Sequence, residues 1–360
     1  MKNYTEEELG WNSFLENQLS AFPSAFMAGR ISSENKNNYQ LLLPGVGEVT
    51  AECTGKLLFN ALDKSELPKV GDWVLVQYFE GEHKALIMEL LDRQNALSRK
   101  VAGQVTEAQV MASHVDKALI VQGLDDNFNV NRLIRSVVLV RECGIMPLIV
   151  LNKADLTDDL EARLAVLKQQ LGDVKVIAMS ALNNEGVELL EEEISAGETV
   201  VLMGSSGVGK STLLNRLLGE ERLDTGAVRS KDAKGRHTTT RREMHILPNG
   251  GILIDTPGTR ELQLLSAKDA LQETFGEISE LSAECRYKDC THTVEAGCAV
   301  LEALDVGDIP EVAYNNYLKL RNEDTFMQAK TDQKARLQKK AEDKKLHKEI
   351  RRVYKKRKWR

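Results

Sequence analysis

At 360 residues the chain can bury two or three separate cores. It has no run of about 18 apolar residues and no signal-peptide core in the acidic N-terminus MKNYTEEELGWNSF, which predicts a cytoplasmic protein with no membrane partner. The formal net charge of −6 hides a split: Lys330 to Arg360 carries fifteen Lys and Arg against four Asp and Glu, a surplus of 11 that leaves −17 elsewhere, so an acidic body bears a basic tail suited to a polyanion such as nucleic acid.

In chain order, the first expected element is an acidic amphipathic helix from residue 1 to about 22, with Trp11, Phe14, Leu15 and Leu19 near one face. From Ala25 to about Leu91 come five short β-type runs, AFMAGRI, YQLLL, EVTAEC, DWVLVQY and KALIMEL, separated by Gly, Asn, Pro and charged residues. Such spacing predicts a small barrel of the OB type, which can bind RNA or act as a packing module; the dense aromatic and basic interleaving that would favour RNA is absent. From Asp116 the apolar runs KALIVQG, PLIVLN, VKVIAMS, ETVVLMG and GGILID alternate with helical stretches such as NRLIRSVVLVREC and EARLAVLKQQL. That alternation predicts an α/β fold, a mostly parallel sheet with helices on both faces. Past Leu264 helical segments surround a cysteine cluster, and the low apolar content of the tail predicts a marginal helix or a segment ordered by a partner. The expected divisions are residues 1–97 (helix and barrel), 98–265 (α/β domain), 266–327 (helical, cysteine-bearing) and 328–360 (basic tail).

The strongest motif is GSSGVGKST, made by Gly204, Ser205, Ser206, Gly207, Val208, Gly209, Lys210, Ser211 and Thr212. It follows the apolar VVLM and precedes the helical LLNRLLG, the strand–loop–helix setting of a Walker A loop. Its glycines let backbone N–H groups turn toward phosphates, Lys210 reaches the β- and γ-oxygens, and Ser211 is the expected Mg²⁺ ligand. Asn152, Lys153, Ala154 and Asp155 (NKAD) follow the strand-like PLIVL, at the carboxyl end where open α/β sheets bind ligands. A carboxylate such as Asp155 can accept from both N1–H and the exocyclic amine of guanine, whereas adenine has no donor at N1; paired with a Walker A loop, NKAD points to GTP over ATP. Ser180, Ala181 and Leu182 close the run VIAMS and could back the guanine O6.

Asp255 to Gly258, DTPG, end the run GGILI: Asp255 is expected to reach Mg²⁺ through water, and the Gly258 amide to meet the γ-phosphate. Between the two phosphate motifs lies KGRHTTTRR, where a first switch belongs; Thr239 or Thr240 is favoured to close the Mg²⁺ shell. Thr259 stands where a Ras-type protein carries a water-orienting Gln and is too short for that task, so slow intrinsic hydrolysis, raised by a partner, is expected. His237 is the best candidate in the chain for positioning the attacking water; capping the loop or touching RNA is the alternative. Relative to Ras-like order the motifs are circularly permuted, with NKAD and SAL ahead of the phosphate loop.

Of five cysteines, Cys53 and Cys143 stand alone and read as buried small hydrophobes. Cys285, Cys290, His292 and Cys298 form C-x4-C-x-H-x5-C, three thiolates and an imidazole that fill a tetrahedral Zn²⁺ shell and leave no open position, as in a structural site. His83, His114, His245 and His347 lack such neighbours and read as surface or core residues.

Permuted NKAD, SAL, GSSGVGKST, KGRHTTT and DTPG, preceded by a barrel and followed by the Cys/His cluster, resemble the ribosome small subunit-dependent GTPase A family of bacteria over nearly the whole chain. The resemblance implies an OB domain, a permuted GTPase domain and a zinc domain that act as a monomer on the 30S subunit and its 16S rRNA late in maturation. It further implies GTP hydrolysis stimulated by that subunit and coupled to release, with His237 as the catalytic histidine. Two rival readings remain: a GTPase acting in RNA modification or signalling with its tail on a membrane surface, and a zinc-dependent RNA-binding module whose nucleotide pocket is only structural. The tail lacks the continuous Trp/Phe/Leu face of a membrane helix, and the set of Lys210, Ser211 and Asp255 argues against an inert pocket.

Overall fold

The structure is a computed structural model and describes residues 3–19, 26–35, 38–61, 63–100, 108–126, 128–220, 242–256, 271, 272 and 274–325. The N-terminal β-runs form β1 (Met27–Glu34), β2 (Tyr39–Leu43), β3 (Gly47–Cys53), β4 (Trp73–Phe79) and β5 (Lys84–Leu90). They pair in the order β1–β2–β3–β5–β4, and β4 returns to β1 through Met27↔Val76 to Arg30↔Trp73, so the sheet closes into the expected barrel. Alternate residues point inward: Ile31, Leu41, Leu43, Val49, Val74, Val76 and Ile87 share one buried cluster. The connection from β3 to β4 carries a short helix, α2 (Gly55–Asn60), after the N-terminal α1 (Ser13–Leu19).

A single helix over the first 22 residues does not form. A 3-10 turn at Glu7–Leu9 ends at Gly10, whose φ of 81° is left-handed, and α1 starts afresh where the Asn12 carboxamide accepts the Phe14 and Leu15 amides. A side chain at Gly10 would stand 2.7 Å from the Arg30 guanidinium and 2.9 Å from the Gly197 carbonyl, so close backbone approach, rather than helix propensity, sets this segment. Leu9 and Leu15 are its buried residues, Phe14 is exposed, and Trp11 packs edge-on against Trp73 at 4.7 Å.

The following region adds β6 (Ala96–Lys100), β7 (Ala108–Ser113), β8 (Lys117–Gly123), α3 (Val130–Glu142), β9 (Met146–Asn152), α4 (Leu160–Leu171), β10 (Lys175–Ala178), α5 (Val187–Glu191), β11 (Thr199–Met203), α6 (Lys210–Leu218), β12 (Glu243–Ile246) and β13 (Ile252–Asp255). The strands order as β10–β9–β8–β11–β13–β12; the first five are parallel and β12 is antiparallel to β13. Leu119, Val121, Leu148, Val150 and Leu202 on one face pack with Val187 and Leu190 of α5 and Leu213, Leu214 and Leu217 of α6. α3 lies against β8 and β9 and contributes nothing to that cluster, which puts it on the opposite face, as a doubly covered parallel sheet requires. Sequence patterning missed β6, β7 and β12, because a strand such as EMHI has no apolar run of its own and is held by its neighbours.

β12 also pairs with β1 at Ser33↔Glu243, making barrel and α/β sheet one continuous 11-stranded arrangement. Beneath that seam lies Arg30, fully buried. Its guanidinium donates to the carbonyls of Leu9 (2.6 Å), Gly71 (3.0 Å) and His114 (3.2 Å) and to the Thr199 hydroxyl at the start of β11 (2.9 Å). Burial pulls it down to about 10, with Asp116 and Asp72 opposing that shift.

The structure divides into two compact units, one holding the barrel and the α/β sheet and the other the cysteine cluster. In the second unit, helices Gly276–Ala283 and Ala299–Val306 flank the cluster and a further helix covers 311–325. Among the described residues no helix is long and apolar enough to cross a membrane.

Candidate functional site

Every described nucleotide motif stands at a carboxyl end of the parallel strands. Asn152 ends β9, Ser180 follows β10, Gly204 follows β11 and Asp255 ends β13. The phosphate loop is shaped by left-handed glycines: Gly207 has φ 85° and Gly209 φ 94°. A methyl group on Gly204 would lie 2.3 Å from the Val121 carbonyl oxygen, and one on Gly209 only 2.2 Å from Asn152 Nδ2. The loop therefore sits against β8 and β9 with no room for side chains at these positions. α6 begins at Lys210, so its N-terminus faces the loop, and the Lys210 ammonium donates to the carbonyls of Gly204 (2.7 Å) and Ser205 (2.8 Å) across the loop mouth. A helix N-terminus, a glycine-shaped loop and an ammonium could hold a polyanion such as a nucleotide phosphate chain.

Asn152 joins the motifs. Its Nδ2 donates to the Val208 carbonyl of the phosphate loop (2.8 Å), and its Oδ1 accepts the Ala181 amide of the SAL segment (2.9 Å). Lys153 follows with a left-handed φ of 64°, and Asp155 is exposed on a 3-10 turn, Ala154–Leu156. Ser180 is fully buried, its hydroxyl accepting the Asn183 amide (3.3 Å). Asp255 is half-buried; burial raises its pKa while Lys210 pulls it back, which places the carboxylate within electrostatic reach of the phosphate-loop lysine. Ser211 and Thr212 lie in the first turn of α6. A hydroxyl and a carboxylate beside a phosphate site could hold a hard cation such as Mg²⁺.

Sequence reading missed several supports of this site. Arg216 of α6 donates to the carbonyls of Ala181 and Leu182 (both 3.0 Å), fastening the SAL segment to the phosphate helix. Thr256, fully buried, donates to the Leu202 carbonyl (2.7 Å), and Asp125 pairs with Lys153. Arg216 and Asp125 lie outside the motifs and Thr256 is the unassigned second position of DTPG; each is identified by what it touches. His237, Thr239, Thr240, Gly258 and Thr259, together with residues 328–360, lie outside the described residues.

In the second unit the ligand atoms of Cys285, Cys290, His292 and Cys298 all lie within 4.8 Å of one another. Cys285 and Cys298 Sγ are 3.8 Å apart, and His292 Nδ1 stands 3.5 and 3.4 Å from them. A tetrahedral zinc with Zn–S bonds of about 2.3 Å puts its sulfurs about 3.8 Å apart, so the spacing fits such an ion. The supporting shell is also present. Tyr314 donates to the His292 carbonyl (2.6 Å), Arg321 to the Thr291 carbonyl (2.6 Å), and the Glu295 carboxylate accepts the Thr291, Thr293 and Val294 amides. Outside the cluster, Cys53 and Cys143 are half-buried rather than fully buried; burial raises both thiols, Cys143 to about 11, which leaves them inert.

A family model described as RsgA GTPase matches residues 90–265. An ABC-transporter model also matches, over residues 187–352; it includes the Walker A loop, a feature several nucleotide-binding families share, and omits NKAD and SAL. "Small ribosomal subunit biogenesis GTPase RsgA" of Opitutus terrae is 41% identical over 338 residues, covering 91% of this chain and 92% of its own. The protein of the same name from Methanosarcina acetivorans is 42% identical over 323 residues, covering 90% and 86%. Among solved structures, YjeQ from Thermotoga maritima superposes with a TM-score of 0.62 at 25% identity, over 83% of this chain and 99% of that one. YloQ, described as a circularly permuted GTPase, gives 0.60 at 23% identity over 86% and 96% and shares the fold. With the permuted motif order, the closed barrel and the Cys3His group, these matches show that the chain belongs to the RsgA GTPase family of GTP-hydrolysing enzymes.

Proposed function

We propose that the chain hydrolyses GTP as a late-stage assembly factor of the small ribosomal subunit, with turnover stimulated by that subunit and coupled to release. The observation that carries the nucleotide part is the Asn152 side chain, which ties the base loop, the phosphate loop and the SAL segment into one site. Asp155 accepts from the guanine edge, Ser180 and Ala181 back the base, and residues 204–212 cradle the phosphates, with Lys210 moving from the loop carbonyls to the β- and γ-oxygens. Ser211, Asp255 and Thr239 or Thr240 would hold Mg²⁺, which neutralises charge on the phosphates. His237 orients the attacking water, and the Gly258 amide meets the γ-phosphate.

The ribosomal part rests on the names of the relatives and on the charge split, because a basic segment on an acidic body is suited to rRNA. In this reading residues 1–97 and 266–327, which precede and follow the GTPase domain at 98–265 in the sequence, are docking modules, and 328–360 tethers the 16S rRNA. The Cys3His group holds one structural Zn²⁺, and the protein works in the cytoplasm as a monomer. GTP turnover by the purified chain, alone and with 30S or 50S subunits, tests the proposal. Strong stimulation by 30S alone is expected; normal GTP binding without stimulation overturns the ribosomal reading. His237→Ala should abolish the stimulated rate with nucleotide binding intact, and unchanged turnover removes that residue from the mechanism.

A further inference from the structure

In the strand order β9–β8–β11, β8 lies between the strand that feeds NKAD and the strand that feeds the phosphate loop. Its carboxyl end touches both: Gly123 pairs in register with Asn152, and the Val121 carbonyl is the oxygen a side chain on Gly204 would strike. The described residues that follow are held by hydrogen bonds. The Leu124 amide donates to the Asn152 carbonyl (2.8 Å), Arg163 donates to the Leu124 carbonyl (3.0 Å) while lying 5.0 Å over the Phe128 ring, and the Phe128 amide donates to the Asp125 carbonyl (2.9 Å). On this platform the Asp125 carboxylate accepts from the Lys153 ammonium at 2.7 Å, the two side chains being 23% and 28% exposed.

Lys153 needs such a partner. Its backbone is left-handed at φ 64°, and a free lysine stem carries about 2 kcal/mol of rotamer entropy. A carboxylate fixed by its own loop removes much of that freedom before a nucleotide arrives, the general route by which preorganisation raises affinity.

We propose that Asp125 is a positioning residue for nucleotide binding: by latching Lys153 beside Asn152, it sets the affinity for GTP and GDP alike while taking no part in hydrolysis. The inference rests on the reading of Asn152 to Asp155 as the base-binding segment. Because the latch lies on the base side of the phosphate loop, its loss affects ground state and transition state equally, raising KM and leaving kcat unchanged.

The test is calorimetric titration of the full chain with GDP, alongside GTP turnover. Asp125→Asn is expected to weaken GDP and raise KM for GTP by about 10-fold each, with kcat within about twofold. Asp125→Glu, which keeps the charge, should recover most of that loss. On a Lys153→Met background Asp125→Asn should cost nothing further, a non-additivity that a merely structural residue would not show. Asp125→Ser, too short to reach the ammonium but suited to a loop, serves in the same comparisons if the Asn variant does not accumulate. Unchanged GDP affinity overturns the inference, as does an equal loss on the Met background. Tighter binding also overturns it, since the pair would then hold the lysine away from the nucleotide. Failure of the wild-type chain to bind GDP would remove the guanine reading itself, a separate result.

Discussion

A methyl group at Gly209 would stand 2.2 Å from Asn152 Nδ2, at a backbone φ of 94° that L side chains rarely adopt. Gly209→Ala must therefore accept left-handed strain of about 1–3 kcal/mol or displace the carboxamide that joins the three motifs. We expect GDP affinity to fall by about 10-fold or more, read by calorimetry on a variant that remains folded. His114 makes stability depend on pH. It is buried beside Arg30 with φ 50°, neither ring nitrogen has a hydrogen-bond partner among the described residues, and burial, aided by Arg30, lowers its pKa from 6.5 to about 4. Its folded pKa lies below its unfolded one, so the unfolded chain binds the extra proton between these values. Its contribution is complete above pH 6.5 and is lost as pH falls toward 4, by about 3 kcal/mol in all. His114→Asn, which tolerates positive φ, should flatten the urea-stability slope across that window; an unchanged slope would assign the dependence to other groups.

At the scale of elements, boundaries follow caps and partners as much as periodicity. α3 starts where the Asn129 side chain accepts the Arg132 amide (2.9 Å), and Asn129→Ala should destabilise the first unit by about 1 kcal/mol, read as a lower denaturant midpoint with an unchanged slope. The elements legible in the sequence were those with strong patterning: the five barrel strands, the five parallel strands, and α3, α4 and α6. β12 was illegible because Glu243, Met244, His245 and Ile246 become a strand only through antiparallel pairing with β13 and a single pairing with β1. The N-terminal helix was over-extended for the same reason: Gly10 breaks it with a left-handed turn where Arg30 and Gly197, residues far away in sequence, leave no room for a side chain.

For the whole molecule, the two compact units have separate sources of stability. The first has an extended apolar core and a buried guanidinium wired across its seam. The second buries Phe275, Ile278, Val300, Tyr314, Tyr317 and Leu320, with Tyr314 bonded to the His292 carbonyl and Tyr317 against the His292 ring, and brings four ligand atoms close together. Three thiols and an imidazole this near one another favour a bound cation, and binding energy at such sites, on the order of 10 kcal/mol, counts as folding energy. A strong chelator should therefore lower a thermal transition belonging to the second unit while GDP binding persists. Calorimetry with and without GDP separates the two, and loss of GDP binding on chelation would refute their independence.

By itself the sequence determined the motifs and their permuted order: NKAD, SAL, GSSGVGKST, DTPG and the Cys/His group each occupy a short contiguous stretch, so spacing alone picks them out. The tertiary structure decided which residues hold those stretches together. Asp125, Arg216 and Thr256 act through contacts with partners 28 to 54 residues away along the chain. Local periodicity carries no information at that separation, because such contacts exist only once parallel strands bring their carboxyl ends side by side.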